Sequence, residues 1–213
     1  MEYPTLPGAT PEEARAAVEL CRHYHKIFQG KHNSSEVTSM RASLTVAMIA
    51  TLLAGPAYAA KATITINAIT ADGIGESLGT IEAADTRDGL RLTPRLRLLP
   101  AGPHGIHVHQ TPDCGPGVQD GKPAAGLAAG GHYDPHDTKA HKGPWAEGGH
   151  KGDLPALAVD GDGTANDPLV APHLKLADIK GRSIMIHAGP DNYADQPKPL
   201  GGGGGRIACG VIR

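Results

Sequence analysis

Two histidines spaced one residue apart, in Gly105-Ile106-His107-Val108-His109, have a spacing that could do chemistry. Alternate side chains of a strand share a face. Ile106 and Val108 would therefore turn to a core, leaving His107 and His109 together on the outer face, able to chelate one ion. A second group lies in a Gly- and Pro-rich stretch, where His132, His141 and His150 recur every nine residues and Asp153 follows three further on. Such a stretch cannot order itself by core burial, but three imidazoles and a carboxylate form an N₃O set that suits Zn²⁺. His187 ends another apolar run, with Asp191 four residues later. His107, His109, His132, His141, His150, His187 and Asp153 make seven side chains, one fewer than the eight positions around two four-coordinate ions. Seven serve eight if one imidazole is shared through both ring nitrogens, or if water takes the last position. The count does not decide between these, or say which histidine would be shared.

The elements that must carry these residues read as strands. Ala62–Thr70 alternates Ile64 and Ile66 with Thr63, Thr65 and Asn67, the pattern of a half-buried strand. Leu78–Ala84, Gly89–Leu98, Ile106–Gln110, Ala156–Val159, Ser183–His187 and Ile207–Ile212 are similar short runs, separated by Gly, Pro, Asp and Asn. Several short strands with turn signals between them predict an antiparallel sandwich or barrel. Two stretches, 111–154 and 187–206, are too long for simple turns, and both hold the candidate ligands. Composition agrees: 29 Gly and 18 Pro in 213 residues exclude a coiled coil or long helical bundle. A net charge of −2 argues against a nucleic-acid partner, and 39% hydrophobic content argues against disorder. Gly201–Gly205 lacks the following helix and the Lys-Ser/Thr that a phosphate loop needs.

Residues 40–59 read as a secretory signal peptide: Met40-Arg41, an apolar run over Ala42–Ala54, then Ala57-Tyr58-Ala59 before the cut. The run is too short for a bilayer-spanning helix of roughly 20 residues, so no membrane attachment is expected after cleavage. Residues 1–39 stand before this signal, with a helix-start pattern at Thr10-Pro11-Glu12-Glu13 and no chemistry in Cys21, His23 and His25. We read them as a prefix upstream of a true start at Met40. The remaining 60–213 form one domain whose only cysteines are Cys114 and Cys209, and an exported chain with two cysteines most simply makes one disulfide.

These residues resemble the Cu,Zn superoxide dismutase family, in particular its bacterial periplasmic branch. The resemblance covers essentially all of 60–213. It is carried by Gly-Ile-His-Val-His at 105–109, Gly-Gly-His-Tyr-Asp-Pro at 130–135, Gly-His-Lys-Gly-Asp-Leu-Pro at 149–155, Ile-His-Ala-Gly-Pro-Asp-Asn-Tyr at 186–193 and the run from Gly201 to Ile212. It implies an eight-stranded antiparallel Greek-key β-barrel with two long metal-site loops, holding one copper and one zinc ion. It implies copper ligands His107, His109, His132 and His187, and zinc ligands His132, His141, His150 and Asp153, with His132 the bridge. Asp191 would accept hydrogen bonds from a ligand histidine of each site, Cys114 and Cys209 would form the intrachain disulfide, and Arg206 would stand beside the copper. The implied reaction is disproportionation of superoxide to O₂ and H₂O₂ by Cu(II)/Cu(I) cycling. His132 would be the catalytic imidazolate bridge, and Arg206 would attract and orient the anion, with Lys198 nearby. Pro190 replaces a glycine usual in the family, and 138–141 lacks another; neither change removes a ligand. The implied location is the periplasm, and a homodimer is compatible with the sequence.

Two other classes compete. A non-catalytic metal-binding protein on this fold would typically lack a copper ligand or the arginine, and both are present. A zinc hydrolase would want an acidic base beside an open zinc position, whereas four protein ligands close this one. His104, His136, His173, Tyr133, Tyr193 and Trp145 are expected to be structural or surface residues.

Overall fold

A computed structural model describes residues 60–213; the expectations placed on 1–39 and 40–59 lie outside these residues. Eleven strands are present among them. They are β1 (Lys61–Thr70), β2 (Gly73–Thr86), β3 (Gly89–Leu96), β4 (Gly102–His104), β5 (Ile106–His109), β6 (Gly117–Gln119), β7 (Lys122–Ala124), β8 (Leu157–Val159), β9 (Leu169–Ala171), β10 (Arg182–His187) and β11 (Arg206–Ile212). One short α-helix, α1, covers Leu176–Ile179, and 3-10 turns cover Leu127–Ala129 and Leu200–Gly202. No helix among the described residues is long and apolar enough to cross a membrane.

Seven strands form one antiparallel sheet in the order β5-β10-β11-β1-β2-β3-β9, while β8 pairs with β4. The strands β4 and β5 are halves of one run broken at Gly105. Counting them as one, and setting aside the β6–β7 hairpin that belongs to a loop, eight strands enclose the core. After β3 the chain crosses to β4, returns through β8, and comes back beside β3 as β9, which is a Greek key. The expected eight-stranded Greek-key architecture is the one observed.

Alternation builds the core. Ile64 and Ile66 of β1, Ile81 and Ala83 of β2, and Leu90 and Leu92 of β3 are all buried in one cluster with Ile106, Val108, Ile184 and Ile186. The cluster contains no Phe or Trp. Alternation continues to the end of β1: Ala68 packs on the same core, while Ile69, an odd number of residues from Ile66, faces the other side, where it packs with Cys114, Cys209, Met185 and Ala129.

Sequence periodicity does not reveal β4, the β6–β7 hairpin or β9, each a three-residue strand whose pairing comes from the tertiary fold. It also places His107 and His109 on an outer face. They do stand on the face opposite Ile106 and Val108, but the two long loops cover them and all four residues of β5 are buried. Trp145 packs less than expected: it is 59% exposed and meets Tyr193 edge-on at 5.2 Å.

Candidate metal centre

Strand β5 positions the centre. On one side it pairs with β10, which ends in His187. On the other it makes isolated bridges to the long loop, His107 opposite Asp153 and His109 opposite His132. Three backbone hydrogen bonds hold this loop down: Tyr133 N to Val108 O at 2.8 Å, Val108 N to Gly152 O at 2.9 Å and Gly152 N to Tyr133 O at 2.8 Å. Gly152 is required there, because a β-carbon would collide with the Val108 carbonyl and lie 2.9 Å from Tyr133 N. The guanidinium of Arg182 caps the Tyr133 ring at 3.5 Å and donates to Gln110 O at 3.0 Å, bracing the residues that follow His132 and His109.

The structure brings all six expected histidines and Asp153 together. One nitrogen from each of His107, His109, His132 and His187 lies within 4.8 Å of the others. A second grouping on the same criterion joins His107, His132, His141 and Asp153. We place His150 rather than His107 in that second group, because Asp191 already occupies the other nitrogen of His107. The Asp153 Oδ1 lies 3.2 Å from His132 Nδ1, 3.0 Å from His141 Nδ1 and 3.5 Å from His150 Nδ1. Ligands disposed tetrahedrally about 2.0–2.1 Å from zinc would stand roughly 3.3 Å apart. Three histidine Nδ1 atoms thus stand around one Asp153 oxygen at about the separation that zinc ligands keep.

The outer nitrogens fix the tautomers, since an oxygen that can only accept must face an N–H. His107 Nε2 donates to Asp191 Oδ2 at 2.7 Å and His141 Nε2 to Asp191 Oδ1 at 2.8 Å. His109 Nδ1 donates to Gly130 O at 2.9 Å, and His187 Nδ1 to Gly204 O at 3.2 Å. This leaves His107 Nδ1, His109 Nε2, His132 Nε2, His141 Nδ1, His150 Nδ1 and His187 Nε2 without a hydrogen-bond partner. Among the described residues no other buried side-chain nitrogen or oxygen lacks one. Buried polar atoms are almost always paired, so six convergent unpaired ring nitrogens fit two metal ions. His132 has its Nδ1 toward Asp153 and its Nε2 unpaired, so its two nitrogens face in different directions.

Electrostatics agree. Burial, with the His132 ring second, lowers His107 to about 3. Burial likewise lowers His187 to about 4, and holds His109 and His132 below their ordinary value. These rings stay neutral at pH 7, with lone pairs free for a cation. His141 goes the other way. Against the cost of burial, the carboxylates of Asp153 and Asp191 on either side of its ring raise it to about 9. Asp153 and Asp191 are themselves held well below the carboxylate range, burial notwithstanding, by the histidines they face.

Arg206 lies across the ladder from His187. Its Nη1 donates to Gly126 O at 2.5 Å and its Nη2 to Gly130 O at 2.8 Å, which fixes the guanidinium. Arg206, Lys198 and His187 line one cleft of about 580 Å³. The Cys114–Cys209 disulfide is formed, with Cα atoms 5.7 Å apart, and ties the loop that carries Gly126 and Gly130 to β11.

Tyr193 is structural, as expected: its N–H donates to Asp191 Oδ1 at 2.7 Å, and its hydroxyl accepts from Ala156 N at 2.9 Å. Asp195, which the sequence did not point to, accepts from His141 N at 2.8 Å and Leu200 N at 3.1 Å. His104, as expected, is structural, with its ring nitrogens 2.7 Å from His187 O and 2.8 Å from Pro100 O.

Comparison with known proteins points the same way. The family model for copper/zinc superoxide dismutase (SODC) matches residues 77–212. The chain is 50% identical over 171 residues to superoxide dismutase [Cu-Zn] 2 of Salmonella typhimurium, covering 80% of this chain and 98% of that protein. Among solved structures it is similar to the Cu/Zn superoxide dismutase from Brucella abortus (TM-score 0.71, 48% identity, 72% of this chain and all of that one). It is also similar to the monomeric copper, zinc superoxide dismutase from Salmonella enterica (TM-score 0.66, 50% identity, 72% of this chain and all of that one).

Proposed function

The chain belongs to the copper/zinc superoxide dismutase family, and on that footing we propose that it acts as an exported enzyme converting two superoxide ions and two protons to O₂ and H₂O₂. His107, His109, His132 and His187 hold copper; His132, His141, His150 and Asp153 hold zinc. When bound, copper supplies one-electron redox chemistry and zinc supplies fixed positive charge without redox chemistry. The observation that carries this reading is the set of six unpaired imidazole nitrogens, two groups meeting at His132.

The chain's own residues then have distinct tasks. Arg206, permanently charged and fixed by Gly126 O and Gly130 O, draws the anion into the cleft and orients it. Lys198 adds charge at the rim. His132 takes up a proton at Nε2, keeps Nδ1 toward Asp153, and returns that proton to the reduced oxygen species. Asp191 holds the Nε2–H of His107 and of His141, keeping both rings oriented for their separate groups. Two dications and one imidazolate added to a net charge of −2 bring the molecule to +1. Positive charge concentrates at the site and focuses the anion, an effect for which superoxide dismutases are a familiar example.

Export follows from residues 40–59, and the functional domain from 60–213. The matched solved structures cover 72% of the chain, the share that 60–213 represents. The 171-residue match to the Salmonella typhimurium protein is longer than those 154 residues, which supports a leader shared with it. We place the mature enzyme in the periplasm.

The test is superoxide consumption with metal analysis of the same sample. Protein holding one copper and one zinc per chain should consume superoxide rapidly, and zinc-only protein should not. Full loading without consumption would leave a metal-binding protein on this fold.

A further inference from the structure

The centre leaves unused two histidines, expected from the sequence to be structural or surface residues, and a glutamate. The fold brings them to one place. His136, Glu147 and His173 line a second cleft, of about 250 Å³, with His150, Lys151 and Asp153. The first three are exposed. This cleft shares no residue with the one that holds Arg206 and His187. It meets the zinc-side group at its least buried member: the His150 side chain is 8% exposed, against 2% for His132 and none for His141 and Asp153.

We propose that this second cleft is the route by which zinc reaches and leaves its site, with His136, His173 and Glu147 as transient ligands that pass the ion to His150. The proposal rests on the zinc-side ligand set given above. A hydrated dication sheds its waters one at a time, and imidazole and carboxylate groups along a wall replace them stepwise. Glu147 puts an exposed carboxylate on the cleft wall, which attracts cations. The ammonium of Lys151 does not oppose this, because Asp178 pairs with it at 2.7 Å. His173 is anchored to the neighbouring loop through Nε2, 3.4 Å from Trp145 O. Copper has its own opening past Arg206, so each ion is loaded from a different side.

The test uses the full chain stripped of metals, with Co²⁺ as the probe and its visible ligand-field spectrum as the readout. The H136A/E147Q/H173A variant should slow cobalt uptake, and cobalt release to a chelator, by the same factor of roughly ten. Its dissociation constant, final spectrum and copper uptake should match those of the parent. An A146W variant, which narrows the cleft without touching the three residues, should slow the same two rates. Unchanged cobalt rates, a changed final spectrum, or copper uptake slowed as much as cobalt uptake would overturn the proposal. H150A separates this from the ligand set itself: it should abolish the cobalt spectrum, and an intact spectrum there would overturn the assignment of His150.

Discussion

Gly201 lies against Asp191 so closely that a β-carbon on it would overlap the Asp191 Oδ1 atom and stand 2.8 Å from His141 Nε2. Its backbone, at φ +74°, covers the hydrogen bond that links the carboxylate to the zinc-side group. Gly201→Ala should therefore displace Asp191 and loosen His107 and His141 together. Loss of such an outer partner typically lowers metal affinity about 10–100-fold. Dialysis against a graded chelator, with copper and zinc measured separately, should show both metals leaving earlier. Loss of neither would mean the loop yields without moving Asp191.

Arg206 is held by two carbonyls rather than by a carboxylate, so its charge is not neutralised. Arg206→Ala should keep both metals and slow superoxide consumption roughly ten-fold, with a weaker dependence on ionic strength. Arg206→Lys should fall between, since one ammonium cannot reproduce the two-pronged hold. A rate unchanged in Arg206→Ala, measured across a salt series, would remove the residue from the mechanism.

The disulfide supports that hold indirectly. Cys114 packs with Ile69, Met185 and Cys209 beneath the segment carrying Gly126 and Gly130. The double variant C114S/C209S should lose about 2–5 kcal/mol of stability, visible as a lower Tm. Activity per bound copper should fall as well, because Arg206 loses its supports.

Much of this centre was legible from local pattern. Alternation in Gly105–His109 put two imidazoles on one face, and nine-residue spacing marked His132, His141 and His150. What pattern could not carry is long-range. Burial of His107 and His109 comes from loops covering the strand. Asp191 joins residues 84 and 50 positions away. The shared cleft of His136 and His173 exists only once the loops are packed.

Protonation gives a pH profile for the metal-free, disulfide-bonded protein. His107 near 3 and His187 near 4 lie below the ordinary 6.5, so between those values the unfolded chain binds more protons. Their contribution to stability is present above about pH 6.5 and is lost as pH falls through 4 and 3. His141 near 9 has the opposite sign: its contribution is full below 6.5 and disappears as pH rises through 9. Tm should peak near pH 6.5 and fall on both sides. In His141→Ala the alkaline fall should vanish, and a wild-type Tm still rising from pH 7 to 9 would contradict the charge assigned to His141.

The proposed bridge requires His132 to present one ring nitrogen to each metal group. Loading the protein with Cu²⁺ in both positions tests this most directly, because two Cu²⁺ ions sharing one imidazolate are magnetically coupled. The electron paramagnetic resonance signal of the dicopper protein should be largely lost through this coupling. In His132→Ala, any copper retained at the two positions should give uncoupled signals. Two independent Cu²⁺ signals at full intensity in the wild-type protein would contradict the bridge.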